Sequence, residues 1–468
     1  MAAQRLTVLT SHLSDLQSEL PIFRAKAVFS LSTDRLQYLS SYMEVEMQKG
    51  LSKDGGSTLA MIPSFVYKPK GTRSQAGIFY ALDLGGTNFR VLRLVVSSDG
   101  KLVEAPQQHG YVVSNQLMSG PAEDLFYFIG KCVAKFVEPF PKDETTLGFT
   151  FSFPVRQRAI AEGELLNWTK GFTCSGMESK NIVELLQNAL TKNGVGNLKV
   201  AALCNDTVGT LIARYVGDSK AHIGVILGTG SNACYWEKST NISKEPTVLQ
   251  EPEAEMVVNI EWGNLASDQK DAVLPLTYYD MKLDEMSPNP GKQLFEKMIS
   301  GMYLGELVRL VLLDVIPKSN PLYAALTSVN AFSSKLVSEI LSDDSLGLRY
   351  VQQVLALPVG TKNHPGGLGV NVECFTDRRR IKDVCLLIRD RSASLSAAAV
   401  AAILKRTRRL NEETTVAVDG SVYEKIPGYK NKLGTVLREV FGVTGVELVL
   451  SKDGSGIGAG MIAAIVGK

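Results

Sequence analysis

The sequence predicts an α/β chain organised as two similar lobes. Two observations carry this: a strand–turn–strand hairpin with a Gly-rich turn occurs twice, and strand-like and helix-like segments alternate around the two copies. The length of 468 residues, 45% of them hydrophobic, agrees, because one core rarely serves a chain this long.

In chain order, Leu6, Leu9, Leu13, Leu16 and Leu20, then Leu36, Leu39 and Met43, recur at helical spacing within residues 1–53. They predict helices packed on the larger lobe. A helix lying on a membrane surface would need denser positive charge and fewer acids. Lys53-Asp54-Gly55-Gly56-Ser57 and Lys68-Pro69-Lys70-Gly71-Thr72-Arg73-Ser74 have the turn chemistry of connectors and place a lobe boundary near residue 70.

The first hairpin follows at once. Residues 78–82 and 91–96 are rich in β-branched and aromatic side chains, and Leu82-Asp83-Leu84-Gly85-Gly86-Thr87-Asn88-Phe89-Arg90 joins them. Gly85 and Gly86 permit backbone conformations closed to other residues and a close approach of N–H groups to an anion. Asp83 would then lie beside phosphate, where a carboxylate acts through a divalent cation. Alone, a Gly-Gly pair more often serves an ordinary turn. The second copy, residues 222–227 leading through Gly228-Thr229-Gly230-Ser231-Asn232 into residues 233–236, shifts the reading to phosphate binding.

Between the hairpins, residues 146–151 read as a strand, 181–190 as a helix, 199–204 as a strand and 208–215 as a helix. Asn205-Asp206-Thr207 lies at the last of these junctions. It reads either as an Asx turn or helix N-cap, or as a ligand site, since open α/β sheets bind ligands at the carboxyl ends of their strands. Ser152, Thr169-Lys170-Gly171, Glu261 and Glu296 stand at comparable junctions or on the helix-like residues 293–299. Carboxylates, amides and hydroxyls together suit a polyhydroxylated ligand.

Composition excludes several classes. Fifty Lys and Arg against 48 Asp and Glu leave a net charge of +2, which offers nucleic acid little attraction. Cys132, Cys174, Cys204, Cys234, Cys374 and Cys385 form no CxxC pair, and four histidines are too few for zinc frameworks, so disulfides and zinc are not expected. Cys204 and Cys234 fall in apolar runs and read as inert buried thiols. No apolar run is long enough to span a bilayer and no signal-peptide layout opens the chain, so a reducing, cytoplasmic setting is expected.

From about Met61 to the C-terminus the chain resembles the hexokinase family. The resemblance is carried by Met61-Ile62-Pro63-Ser64-Phe65-Val66, the Leu82 to Arg90 hairpin, Phe151-Ser152-Phe153-Pro154-Val155-Arg156-Gln157, Trp168-Thr169-Lys170-Gly171-Phe172, Asn205-Asp206-Thr207-Val208-Gly209-Thr210, Gly228-Thr229-Gly230-Ser231-Asn232-Ala233 and Asn289-Pro290-Gly291-Lys292-Gln293-Leu294-Phe295-Glu296-Lys297. It implies the two-lobed actin-like ATPase (ribonuclease H-like) sugar kinase fold, an α/β architecture with a cleft between a small and a large lobe. Residues 1–70 would be N-terminal helices on the large lobe, 71–205 the small lobe, 206–448 the large lobe, and 449–468 a segment returning to the small lobe, its helix placed after Gly460.

The resemblance further implies phosphoryl transfer from MgATP to the 6-hydroxyl of a hexose, the first step of glycolysis. Glucose would bind through Ser152, Phe153, Thr169, Lys170, Asn205, Asp206, Asn232, Glu261 and Glu296, with Asp206 as base and Lys170 beside it. Mannose and fructose are further candidate hexoses. ATP would contact Asp83, Gly85, Gly86, Thr87, Asn88, Arg90, Gly228, Thr229, Gly301, Gly420 and Ser421, with Mg²⁺ near Asp83 and Asp206 through water.

Ile457 replaces the lysine of many vertebrate members. Residues 343–390 match the family loosely, and their Arg378-Arg379-Arg380 run reads as solvated surface. No second copy of the Asp83 hairpin occurs at full-domain spacing, so a single-unit form is expected, as monomer or homodimer, with parts of the C-terminal half resembling apicomplexan members. A silent hexose sensor and an actin-like or chaperone-like ATPase are the competing readings. The first would tolerate loss of Asp206 or Lys170, and the second has no need of Ser152, Asn205, Glu261 and Glu296.

Overall fold

A computed structural model describes residues 19–69, 76–86, 88–140, 145–177, 179–268, 272–358 and 367–467. Leu6, Leu9, Leu13, Leu16, Lys70, Gly71, Thr72, Arg73, Ser74 and Thr87 lie outside them. The chain divides into two units. One, Met1–Ser40 with Ala266–Val400 and Ser421–Gly442, is helical among its described residues; the other, Ser41–Leu265 with Ala401–Gly420 and Val443–Lys468, holds the strands. Residues 71–205 and 449–468 both belong to the strand-bearing unit.

Its strands are β1 (Ile62–Tyr67), β2 (Gly77–Leu84), β3 (Asn88–Val96), β4 (Gln107–Val112), β5 (Thr145–Phe151), β6 (Val155–Ala159), β7 (Glu162–Leu165), β8 (Leu198–Cys204), β9 (Ala221–Leu227), β10 (Ser231–Lys238), β11 (Glu255–Asn259), β12 (Thr414–Asp419) and β13 (Val446–Leu450). They form a five-stranded sheet of order β4-β3-β2-β5-β8, a six-stranded sheet of order β1-β11-β10-β9-β12-β13, and the separate β6–β7 hairpin. Both expected hairpins are present: β2 pairs antiparallel with β3, and β9 with β10. In each large sheet a run of antiparallel strands, three in the five-stranded sheet and four in the six-stranded one, is followed by two parallel strands, β5 and β8 or β12 and β13.

The apolar residues of β2, β3 and β5 face two cores. On one side Leu82, Val91, Phe149 and Phe151 pack with Leu125 and Ile129 of the Ala122–Val137 helix and Leu186 of the Ile182–Lys192 helix. On the other, Ala81, Leu92 and Leu94 pack with Val208 and Leu211 of the Asp206–Tyr215 helix and Ile462 and Ala463 of the Gly454–Val466 helix. Each Val, Leu, Ile or Phe among them contributes about 1.5–3 kcal/mol on burial. The last two helices cross at glycines: a Cβ on Gly458 would overlap the Gly209 backbone, and one on Gly209 the Ser455 carbonyl.

Leu36, Leu39 and Met43 are buried along the Thr33–Ser52 helix, as their spacing predicts, whereas Leu20, on helical residues 19–29, is exposed. The final helix starts at Gly454, six residues before the expected Gly460. The helix expected at residue 208 begins at Asp206. Among the described residues no helix is long and apolar enough to cross a membrane.

One expectation is overturned. Arg378 and Arg380 are buried, and only Arg379 of the run is exposed. Arg378 donates to the carbonyls of Gly347, Val372 and Glu373, while Arg380 pairs with Asp377 and Glu19. Carbonyl and carboxylate acceptors, some local and some distant in sequence, engage these guanidinium groups, so the charges enter the packed structure instead of facing water.

Candidate active site

At the end of β8, Asn205 caps the Asp206–Tyr215 helix: its backbone is extended and its Oδ1 accepts from Thr207 N at 3.0 Å. The cap reading therefore holds for Asn205 and leaves Asp206 at the first helical position. Asp206 Oδ1 accepts from Thr207 N at 2.9 Å, and its Oδ2 lies 3.6 Å from Lys170 Nζ. A helix N-terminus favours an anionic side chain there.

Lys170 reaches that point because its loop is pinned from behind. Trp168 stacks on Phe172 with centroids 5.4 Å apart, meets Phe153 edge-on at 4.9 Å, and donates from Nε1 to the Cys174 carbonyl at 2.8 Å. Lys170 takes a left-handed backbone, φ 54°, followed by Gly171 at φ 83°. Such strain in a non-glycine residue is kept where surroundings impose it, commonly at functional sites. Lys170 Nζ donates to the Ser152 carbonyl at 2.8 Å. Ser152, 3% exposed, carries an Oγ that is buried without a hydrogen-bond partner. Thr169 precedes Lys170 on this loop.

A connected set of amides continues from Asn205. Thr207 Oγ1 lies 2.9 Å from Asn205 Oδ1 and 3.2 Å from Asn259 Oδ1, and Asn232 Nδ2 donates to Asn259 Oδ1 and Glu261 Oε1, both at 2.9 Å. Asn259 Nδ2 donates to the same Glu261 oxygen at 2.8 Å, and Glu261 N to Asn232 Oδ1 at 3.0 Å. Glu261 is also left-handed, φ 57°. Asn259, buried at the end of β11, is a site residue that the sequence reading missed. Its signal was present: a polar side chain two residues from Glu261 in an otherwise apolar strand.

The first hairpin presents charge. Asp83 Oδ2 accepts from Ser455 Oγ at 2.8 Å and from Arg90, whose other guanidinium nitrogen pairs with Asp453. Asp453 and Ser455 were not expected here. Their local signal was the glycine-rich segment Gly454-Ser455-Gly456-Ile457-Gly458. Gly85 and Gly86 do not take left-handed backbone conformations, contrary to the sequence reading. What they supply is space: a Cβ on Gly86 would meet nothing within 4 Å, and one on Gly85 would lie 3.8 Å from Asp83 Oδ1 and Ser152 Oγ. Asn88, at the start of β3, is exposed.

In the second hairpin Gly228 N donates to Gly230 O at 3.0 Å and Thr229 is exposed. Gly420, by contrast, is fixed by conformation and packing, with φ 117° and a Cβ position that would strike the Leu227 and Gly228 backbone. Asp419 beside it is pushed up to about 6 by burial, with Asp453 and Asp83 adding to the shift against the Gly420 N–H and Arg90.

Among the described residues no group of three or more His, Cys, Asp or Glu forms a full set of metal ligands. Burial chiefly raises the Cys204 thiol to about 12, and Asp83 and Asp206 both add to that shift. Two carboxylates and open space at Gly86 fit a Mg²⁺ ion held mainly by phosphate and water. The high Cys204 value and full burial of Cys234 agree with inert thiols.

In the helical unit Gly301 opens the Gly301–Val315 helix. It lines a cavity of about 390 Å³ with Met302, Tyr303, Ser333 and Ser334. Glu296 lies on the Leu294–Ile299 helix and, after burial, is the main cause that lifts Tyr303 to about 12. Ser421 is exposed at the start of the Ser421–Lys425 helix.

Family models described as hexokinase match residues 22–216 and 222–465. Hexokinase-7 of Oryza sativa subsp. japonica is 40% identical over 449 residues, covering 92% of this chain and 93% of that protein. Hexokinase of Brugia malayi is 36% identical over 94% of this chain and 76% of its own length. Among solved structures, the hexokinase from Schistosoma mansoni complexed with glucose superposes with a TM-score of 0.84 at 34% identity, covering 96% of this chain and 99% of that one. With both halves matched and relatives of this identity along nearly its full length, the chain belongs to the hexokinase family and has its two-lobed sugar kinase fold.

Proposed function

We propose that this chain is an ATP-dependent hexose kinase that transfers the γ-phosphoryl group of ATP to the 6-hydroxyl of glucose. The observation that carries the reading is the contiguous polar surface from Ser152 through Lys170, Asp206 and Asn205 to Asn232 and Glu261, in which a buried Ser152 hydroxyl lacks a partner. A sugar hydroxyl would supply that partner. The glucose bound by the Schistosoma mansoni relative supports the choice of hexose. The same hydroxyl-binding groups admit mannose and fructose as alternative substrates.

In this reading the 6-hydroxyl oxygen attacks Pγ, its proton passes to the Asp206 carboxylate, and ADP departs with the electrons of the broken P–O bond. Phosphoryl transfer relies mainly on alignment and charge neutralisation. A positioned base supplies about 10²–10⁴-fold, or roughly 3 to 5 kcal/mol, whereas orientation supplies about 7 to 11 kcal/mol. Lys170 orients Asp206, and Asn205, Asn232 and Glu261 with Glu296 hold the sugar. Asp83, Arg90, the Gly85-Gly86 and Gly228-Thr229 turns, Thr87, Asn88, Gly420 and Ser421 attend the phosphates. Mg²⁺, reached from Asp83 and Asp206 through water, would neutralise phosphate charge. Gly301 is a further ATP contact in this reading.

We further infer that residues 71–205 with 449–468 act as the small lobe against residues 206–448, with 1–70 as N-terminal helices on the latter. Water resembles the sugar hydroxyl but cannot engage Asn205, Glu261 and Glu296, so sugar binding would assemble the site. A cytoplasmic setting suits six free cysteines, and the chemistry needs one chain, whether monomeric or in a homodimer.

ADP release by the purified chain with MgATP, with and without glucose, tests the proposal. Release that depends on sugar is expected. Equal release without sugar would indicate a different ATPase, and tight glucose binding without turnover would indicate a sensor.

A further inference from the structure

We propose that a basic pocket between the segment entering β1 and the β6–β7 hairpin binds a small phosphate oxyanion, at a site apart from the sugar and nucleotide residues. The cavity holds about 510 Å³ and is lined by Asp54, Ala60, Arg156, Arg158, Lys244 and Glu245, among others. None of these belongs to the active-site set, and the proposal does not depend on the kinase reading.

Arg156 and Arg158 are two residues apart on β6, so both project from one face. Gln157 between them turns the other way, buried, and donates to the Leu203 carbonyl at 2.8 Å. The two guanidinium groups are exposed. Arg156 has no carboxylate partner among the described residues, and Arg158 has only Glu164 at 4.0 Å. Planar fork donors of this kind match the oxygen geometry of phosphate.

Lys244 adds a third cation. Its side chain is 6% exposed, and its Nζ donates to the Ala60 carbonyl at 2.6 Å and lies 3.3 Å from Asp54, which is 72% exposed. Burial pulls the Lys244 amine down and Arg156 pulls the same way, against Asp54 and Glu245. Of the two acids at the rim, Asp54 is committed to Lys244, and Glu245 is turned toward Thr247, whose Oγ1 donates to it at 2.7 Å. The lining thus carries three cations against two acids, a positive excess in a concave space, the setting in which an anion is held.

The location gives occupancy a consequence. Residues 54–61 lead into β1 of the six-stranded sheet, while β6 follows β5 of the five-stranded sheet through Ser152, Phe153 and Pro154. A bound oxyanion would tie these segments together a few residues from Ser152.

Calorimetric titration of the full chain with inorganic phosphate, at ionic strength fixed with chloride, tests the site. The comparison is an Arg156→Ala and Arg158→Ala double variant, whose exposed positions leave the core intact, with ADP affinity measured on both proteins. The expected result is one phosphate per chain that weakens about tenfold or more in the double variant while ADP affinity stays unchanged. Phosphate binding that is the same in both proteins, or none in the wild type, would overturn the proposal. Loss of ADP binding in the wild type would instead strike the kinase reading.

Discussion

The five-stranded and six-stranded sheets share a plan, a run of antiparallel strands (three in one, four in the other) then two parallel ones, each with a helix after its last parallel strand. Their strand ends differ in chemistry. The penultimate residue of β2 is Asp83, engaged by Arg90 and Ser455, whereas the penultimate residue of β9 is Ile226. After β8 the helix opens on Asp206 facing Lys170; after β13 it is capped by Asp453, which pairs with Arg90. The repeated framework thus supplies geometry, and a few side chains set the halves apart: Asp206 beside Lys170 in one, and an ion-pair cluster of Asp83, Arg90 and Asp453 drawn from both.

The comparison breaks most readily where the two halves touch. Gly458→Val should destabilise by more than about 3 kcal/mol, seen as a lower urea midpoint, because its side chain would overlap the Gly209 backbone. A wild-type midpoint would mean that the two helices do not cross so closely. Asn259→Leu should come next. It removes the group that joins Asn232, Thr207 and Glu261, and the hexose KM should rise roughly 10- to 100-fold with the fold retained by circular dichroism. An unchanged KM would leave Asn259 a packing residue.

Arg90→Met should raise the ATP KM about tenfold and leave hexose binding near normal, which sharpens the contrast between the ion-pair cluster and the sugar site. An equal effect on both ligands would count against that division. His222, on β9, probes the second half. Burial, helped by Arg409 and Lys68, pulls its imidazole down to about 3. The unfolded chain takes up that proton near pH 6.5, so this contribution to stability is complete above pH 6.5 and is lost as pH falls toward 3, by about 1.4 kcal/mol per unit. His222→Leu should flatten that slope in acid unfolding curves, and an unaltered slope would assign it to other groups.

Much of this was legible because local rules and tertiary structure agree. Both hairpins announce themselves through Gly-rich turns between β-branched runs, and Asn205 caps a helix as its side chain favours. The misreadings share a physical cause, namely partners remote in sequence. Arg378 and Arg380 looked solvated because their acceptors, from Gly347 to Glu19, cannot be seen from a charge run. Asp453 joins Arg90 across 363 residues. Gly85 and Gly86 were credited with backbone freedom, but what they provide is room. Asn259 passed as one polar residue of a strand because its role depends on a network of four other side chains.

The most direct test pairs glucose calorimetry with steady-state turnover for Asp206→Ala. The account predicts that glucose binding remains measurable, held by Asn205, Asn232 and Glu261, while turnover falls about 10²-fold or more. Turnover near the wild-type value would contradict it, because the proton of the attacking hydroxyl would then leave by another route.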